Sequence, residues 1–158
     1  MPMIRYTCTL TALLLCLSLS AQRVFEFHRS TNKNYVCYDI NLEDGQLCQK
    51  EPLKAYWQLH NRVEDLTFLD KMMAFGVKVL SAKADEAVIH LAPYKLITIR
   101  ICQHKGKWVG IVKHEDHEMV LQKIFAQMNG STSIRCSYIE LIGTDIKTGE
   151  ELCQRVTP

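Results

Sequence analysis

The sequence has few glycines and prolines, seven and four among 158 residues, and no stretch is rich in either. Flexible linkers and low-complexity segments are usually rich in these residues, so we expect a single folded domain. After residue 21, no apolar run approaches the roughly 18 residues that a membrane helix needs. Basic and acidic residues alternate, the net charge is +2, and no basic block predicts a nucleic-acid partner.

The motifs of common catalytic and cofactor sites are also absent. There is no P-loop, no dinucleotide-binding G-x-G-x-x-G, no G-x-S-x-G elbow and no H-E-x-x-H. A Cys–His nucleophile stays open, because such pairs meet in space and not in sequence. We therefore expect a binding protein without a cofactor rather than an enzyme. The alternative is an extracytoplasmic hydrolase or a metal-binding protein whose site has no recognisable motif.

The first 21 residues have the features of a signal peptide. Arg5 gives a short positive region, a short apolar core follows, and small residues precede the Ala21–Gln22 junction. A lipoprotein leader centred on Cys16 is an alternative. We expect residues 1–21 to be removed and residues 22–158 to form one β-rich domain in the periplasm or outside the cell.

Cysteines are unusually frequent for a domain of this size. Two of the seven lie in the predicted leader. The remaining five are Cys37, Cys48, Cys102, Cys136 and Cys153. Because the number is odd, at least one must stay free, pair with another chain or be modified. The spacing does not determine any disulfide connectivity, and we expect mostly small buried hydrophobic residues.

Short segments of alternating apolar and polar residues make up most of residues 22–158. The first segments are 24–29 and 35–42, and Asp44-Gly45 after them is a strong hairpin signal. Pro52 marks the following strand as an edge strand, since proline cannot donate to a sheet. Short connections favour antiparallel neighbours. We therefore predict a mainly β fold, a single antiparallel sheet of about eight or nine strands that curls into a barrel or sandwich.

One helix is predicted at about residues 65–75. Asp65 is a suitable cap, apolar residues recur at helical spacing, and Gly76 ends the segment. The apolar residues are Leu66, Leu69, Met72 and Met73.

The sequence pattern of residues 117–128 is compatible with either a helix or a strand. Leu121, Ile124, Phe125 and Met128 follow the spacing of a helix face. The Asn129-Gly130 pair that follows is nevertheless typical of a hairpin between two strands.

The most polar part of the domain comes directly after the first predicted strand. Arg29, Ser30, Asn32 and Asn34 could together bind an anionic or carbohydrate-like ligand, since an arginine fork with amide and hydroxyl partners recognises carboxylate or phosphate. The same residue types are turn formers, so a tight connection between two strands explains them as well.

Two further candidate sites follow along the chain. Tyr56 and Trp57 are neighbours on a strand and therefore point to opposite faces, so one is expected in the core and the other at a rim that could hold a ligand. His114 and His117 are a weak candidate for a divalent metal, with carboxylates between them but no third ligand at a motif spacing.

Four segments in a fixed order resemble a family of small secreted bacterial proteins of the Bacteroidetes type with a domain of unknown function. The segments are FEFHRSTNKNYVCYDIN, PLKAYWQL, LTFLDKMMAFGV and YIELIGTDIKTGEEL. The pattern positions are Arg29, Ser30, Asn32, Asn34, Val36, Tyr38, Pro52, Tyr56, Trp57, Leu66, Thr67, Phe75, Gly76, Gly143, Thr148 and Gly149. The resemblance implies a strand around residues 120–127 and carries no activity.

The sequence as a whole predicts a non-catalytic module that binds a small molecule or interacts with a component of the cell envelope. If the sheet closes into a barrel, its interior could hold a small apolar ligand.

Overall fold

The computed structural model describes residues 21–131 and 135–157. Apart from Ala21, the predicted signal peptide lies outside the described residues. In the described ranges the chain forms strands β1 (Arg23–Arg29), β2 (Asn32–Ile40), β3 (Leu42–Glu43), β4 (Gln46–Leu47), β5 (Leu53–Gln58), β6 (Val63–Asp65), β7 (Val77–Ala82), β8 (Glu86–Leu91), β9 (Tyr94–His104), β10 (Lys107–His114), β11 (His117–Met128), β12 (Cys136–Asp145) and β13 (Glu151–Val156).

One short helical segment interrupts the strands. It begins as helix α1 (Phe68–Asp70) and continues as a π-helical turn (Lys71–Phe75). Residues 66–76, which contain it, are called the seam segment below, because they join β6 to β7, the two ends of the long sheet path. No described helix has the length and apolar character that crossing a bilayer requires.

Eleven strands form one curled, mixed sheet that closes about half of a barrel. β11 lies at its centre and pairs with β12 along one edge. Its other edge pairs first with β10 and then, in parallel, with β1. Two arms therefore leave β11: β1-β2-β5-β6 and β10-β9-β8-β7. Where the arms meet, the Gln22 amide bonds the Trp108 backbone at 3.2 and 3.1 Å.

A bulge in β11 explains why its sequence resembles a helix. Pairing with β12 shifts between Leu121 and Lys123, so the buried face changes from odd to even positions. Met119 and Leu121 are buried before the shift, and Ile124 is buried after it. The bulge thus places buried residues three apart, which is also a helical spacing. The strand interpretation that the family resemblance favoured is confirmed.

The mainly β class, the curled sheet and the short helix are confirmed, with three differences. The sheet is mixed and not purely antiparallel, because β1 and β11 run parallel. It has eleven strands rather than eight or nine. β5 is not an edge strand, since it pairs with both β2 and β6. Pro52 precedes β5, so its missing N–H interrupts no ladder, and its carbonyl accepts from Asn41 N at 2.9 Å.

The helix prediction was right in place and wrong in detail. Asp65 belongs to β6, and Thr67 is the actual N-cap. Of the four apolar residues that recur at helical spacing, only Leu66 is buried; Leu69 and Met73 are 64% and 57% exposed. Phe75 anchors the segment instead, because it is 1% exposed and its carbonyl accepts from the Tyr38 hydroxyl at 2.9 Å.

The core lies between the two arms and is continuous. Phe25 stacks on Tyr38 with ring centroids 4.4 Å apart, and Phe27 meets Phe75 edge-on at 5.3 Å. Isoleucines and leucines of β8, β9, β11 and β12 complete the same cluster. Side chains therefore occupy the region where a barrel lumen was expected, and the open hollows described below lie at the surface.

Local turn chemistry follows the sequence closely. Asp44 and Gly45 both have positive φ, 50° and 77°, as a two-residue hairpin of mirror-image type requires. The hairpin brings Cys48 N to Asn41 O at 3.0 Å. All five cysteines of the described residues are free thiols.

Candidate functional site

The inner face of the seam segment is fixed to the sheet through Trp57. Its indole N–H donates to Asp70 Oδ2 at 3.2 Å, and its ring meets Phe75 edge-on at 4.9 Å. Asp70 and Phe75 are five residues apart, a spacing that the i→i+5 pattern of a π-helical turn brings to one face. The π-turn thus allows one tryptophan to hold both ends of the segment.

Asp70 also closes the start of the helix. Its Oδ2 accepts from Thr67 N at 3.1 Å and from Thr67 Oγ1 at 2.8 Å, and Asp70 N donates back to Thr67 Oγ1 at 3.1 Å. This is a capping box. Partial burial acts to raise the pKa of Asp70, but the bonds from Thr67 and Trp57 and the Arg29 charge outweigh it and lower the pKa.

Arg29 lies against this unit from the β1 side. Its guanidinium carbon sits 4.5 Å from the Phe75 ring centroid, a cation–π arrangement. Its Nε is buried and has no hydrogen-bond partner among the residues that the structure describes. Tyr94 is close enough for its ionisation to sense the Arg29 charge; burial is the larger influence and raises the pKa of Tyr94 to about 12. Arg29 and Trp57, two sequence-predicted ligand residues, thus meet at Phe75.

The other residues of the opening polar cluster do not join Arg29. Ser30 Oγ accepts from Met128 N at 3.0 Å, and Ser30 N donates to Ala126 O at 3.0 Å, which extends the contact of β1 with β11. Asn32 Oδ1 accepts from Asn34 N at 3.0 Å at the start of β2, directly after the Ser30-Thr31 turn. Asn34 is half-buried. The turn interpretation describes their geometry; ligand contact by these residues stays a prediction.

Tyr56 lies on the opposite face from Trp57, as strand alternation predicted. Its hydroxyl donates to Asp39 Oδ2 at 2.6 Å and accepts from Arg23 at 3.1 Å. Arg23 Nε also donates to Asp39 Oδ1 at 2.6 Å. Asp39 is 5% exposed, so this buried carboxylate is satisfied by both partners. Tyr56 is therefore a structural member of an outer-face network, and a ligand role for it also stays a prediction.

His114 and His117 face each other across the β10–β11 hairpin. Their carboxylate neighbours are Glu115 Oε1, 4.0 Å from His114 Nε2, and Asp145 Oδ2, 3.4 Å from His117 Nδ1. Among the described residues no group of three or more His, Cys, Asp or Glu side chains has a geometry that could hold a metal ion. The metal assignment stays a prediction of the sequence.

The outer face of the seam segment borders an apolar groove, which is called the seam groove below. It has a volume of about 500 Å³ and lies between β5, the seam segment and β7. Its apolar lining is Pro52, Leu53, Ala55, Leu66, Phe68, Met72, Val77 and Val79. The groove forms because β6 covers β5 only from Tyr56 onwards, so the backbone edge of Leu53–Ala55 has no partner strand on that side.

The charged lining of the seam groove is mostly positive. Lys50, Lys71 and Lys78 line it, together with the single carboxylate of Glu51. None of these four side chains takes part in an ion pair among residues 21–131 and 135–157. A neighbouring hollow of about 730 Å³ lies on the β6 side. Its lining includes four carboxylates and two lysines: Asp39, Glu51, Glu64, Asp65, Lys54 and Lys71. The seam groove is therefore the candidate site for an anionic apolar ligand.

Sequence reasoning missed the seam groove because its walls come from distant parts of the chain. Pro52 and Val77 are brought together only by the sheet path through β11. The helical segment did contain a sequence signal for an exposed apolar surface. With Phe68, Leu69 and Met73 it has more apolar residues than a single buried face of a short helix can hold.

A family model describes residues 25–155, almost the whole described chain, as a domain of unknown function (DUF4833). The chain belongs to this family. Searches of curated proteins and of solved structures found no match.

Proposed function

We propose that this member of the family is a non-catalytic extracytoplasmic binding module that takes an anionic single-chain amphiphile in the seam groove. The observation that carries the proposal is the combination, in one groove, of an apolar floor with three lysines that form no ion pair within the described part of the chain. The extracytoplasmic location is part of the proposal and is supported by the features of residues 1–21.

The dimensions of the groove suit a small ligand. Its volume of about 500 Å³ is within the range of roughly 300–1,000 Å³ that small-molecule sites occupy. Leu53 and Leu66 form a buried floor, and Phe68 and Met72 are exposed walls. An alkyl chain that covers these walls would remove apolar surface of both partners from water.

The lysines of the seam groove favour a ligand with an anionic head group. Lys50, Lys71 and Lys78 outnumber the one carboxylate, Glu51, and the described residues offer them no competing ion pair. A carboxylate or phosphate on the ligand would receive charge-assisted hydrogen bonds from these ammonium groups. A cationic head group of the same chain length would meet like charges and bind less well.

Calorimetric titration with alkyl carboxylates of increasing length tests the proposal. Each methylene buried contributes about 0.8 kcal/mol, so two additional methylenes should lower Kd by roughly tenfold until the groove is filled. An alkyl trimethylammonium of equal length is the head-group control. Equal binding of the two head groups, or no saturable binding, would refute the proposal.

Two variants locate the site. Ala55→Trp places an indole in the groove and should abolish binding, because Ala55 is a half-buried lining residue. Lys71→Gln should weaken binding several-fold. Lys113→Gln makes the same charge change at an exposed position of β10, three strands from β7, and should leave Kd unchanged.

A further inference from the structure

The exposed apolar side chains of the protein are concentrated on one surface. Large hydrophobic residues with high exposure in the described chain are Val63, Phe68, Leu69, Met72, Met73, Val79, Leu80 and Leu96. All except Leu96 lie on the seam segment or on the two strands that it joins. A concentration of this kind marks an interaction surface, whereas single exposed hydrophobic residues are normal.

Part of this surface is separate from the seam groove. Leu69 and Met73 are 64% and 57% exposed and do not line the groove, whereas Phe68 and Met72 do. Residues four apart in a helical turn lie above one another, so Leu69 and Met73 form one projecting row. Asp70 is turned away from this row, towards Trp57.

Two exposed lysines lie beside the row, together with the exposed carboxylates of Glu51 and Asp65. Lys71 and Lys78 are exposed on either side of the Gly76 turn and make no ion pair in the described part of the chain. Of the nearby acidic groups, Glu64 is paired with Arg62 at 2.6 Å, and Asp65 remains exposed. Apolar side chains projecting beside lysines are typical of segments that bind anionic lipid surfaces.

We propose that the seam segment docks the protein on an anionic lipid bilayer. Phe68, Leu69 and Met73 enter the boundary between head groups and acyl chains, and Lys71 and Lys78 contact lipid phosphates. The docking surface and the seam groove share Phe68, Lys71 and Lys78. Leu69 and Met73 belong to the docking surface alone.

Co-sedimentation with vesicles tests the docking. Vesicles of phosphatidylcholine with about one third phosphatidylglycerol should bind the protein, and pure phosphatidylcholine vesicles should bind it much less. Leu69→Ser combined with Met73→Ser should weaken the partition coefficient by at least about tenfold, since two apolar insertions are lost. Lys71→Gln should weaken it by about fivefold and reduce its salt dependence.

Leu96→Ser is the matched control. Leu96 is 88% exposed on β9, outside the seam, so its loss should leave vesicle binding unchanged. Every substituted side chain here is exposed, and an unchanged thermal midpoint will show that the variants are folded.

The two proposals can be separated by the same variants. Ala55→Trp should keep vesicle binding and lose soluble alkyl carboxylate, and the Leu69→Ser, Met73→Ser variant should do the reverse. Failure to bind the anionic vesicles, equal binding to both vesicle types, or equal loss in Leu96→Ser would overturn the docking proposal. The docking proposal would also be overturned if the protein bound no vesicles but formed a dimer, and the Leu69→Ser, Met73→Ser variant were monomeric.

Discussion

Asp70→Ala should destabilise the protein by about 2 kcal/mol, although two of the three hydrogen bonds that its carboxylate accepts are at the surface. The carboxylate closes the capping box with Thr67 and accepts the Trp57 indole N–H at 3.2 Å. Loss of the Asp70 side of the capping box, with the Thr67 cap itself left in place, costs about 1 kcal/mol, and loss of the part-buried Trp57 hydrogen bond costs about another 1 kcal/mol.

Asp65→Ala is the control for this prediction. Asp65 is the residue that sequence periodicity favoured as the cap, and it is an exposed residue of β6 with no side-chain bond in the described structure. Its removal should change the free energy of unfolding by no more than about 0.5 kcal/mol. The two variants make the same chemical change five residues apart in one short segment, so composition and net charge are matched.

Urea unfolding followed by tryptophan fluorescence and by circular dichroism measures both free energies. The slope of the free energy with urea should stay the same in both variants, because the sheet that unfolds is unchanged. Equal losses in Asp65→Ala and Asp70→Ala, or no loss in Asp70→Ala, would refute the assignment of the cap and of the Trp57 anchor.

Two other predictions concern the sheet and the pH dependence. Gly143→Ala should lower the free energy of unfolding by at least about 3 kcal/mol in thermal or urea unfolding, because a Cβ at Gly143 would lie 2.1 Å from the Val120 carbonyl oxygen. Gly110→Ala is the comparison and should cost about 1 kcal/mol, because a Cβ at Gly110 meets only side-chain methyl groups, the nearest at 3.0 Å. Because the pKa of Asp70 is lowered in the folded state, its contribution is complete above the unfolded carboxylate pKa of about 4 and is lost as the pH falls through the lower folded value. Trp57 fluorescence in a Trp108→Phe background should therefore change below about pH 4, and Asp70→Asn should remove that transition; an identical acid transition in both proteins would contradict it.

Features that depend on neighbouring residues could be predicted from the sequence. Asp44 and Gly45 both have positive φ, 50° and 77°, at the tip of the β3–β4 hairpin, where the Asp-Gly pair indicated a turn. The opposite orientation of Tyr56 and Trp57 follows from strand alternation alone and is also confirmed. In both cases the controlling interactions lie within a few residues of one another.

Features that depend on distant residues could not be predicted in this way. The parallel pairing of β1 with β11 joins Glu26 to Lys123, and neither segment contains a local signal for it. The bulge between Leu121 and Lys123 is required by the partner strand β12, and it changes the period on which a sequence interpretation of β11 depends. The strands that pair with β11 therefore determine that it is a strand, because its own sequence is compatible with a helix as well.

The candidate site illustrates the same limit. Arg29 belonged to a polar cluster and Trp57 to a strand, and nothing in their spacing indicated that both contact Phe75. The sequence suggested that ligand residues surround Arg29. That prediction is untested, and the structure adds an open apolar groove on the other side of the seam segment, with walls from β5 and β7.

The residues that carry the family resemblance acquire a common explanation from this geometry. Arg29, Trp57, Phe75 and Gly76 come from three separate segments of the pattern, yet they make up one unit around the seam segment. Gly76 is required there, since a Cβ would lie 1.8 Å from the Lys71 carbonyl oxygen at the end of the π-turn. The stacking of Arg29 on Phe75 therefore braces the seam segment, whatever else Arg29 binds. If this anchor is what the pattern encodes, the choice of the proposed ligand must come from residues of the groove that the pattern omits, and Phe68, Lys71 and Met72 are the ones that the anchored segment itself supplies.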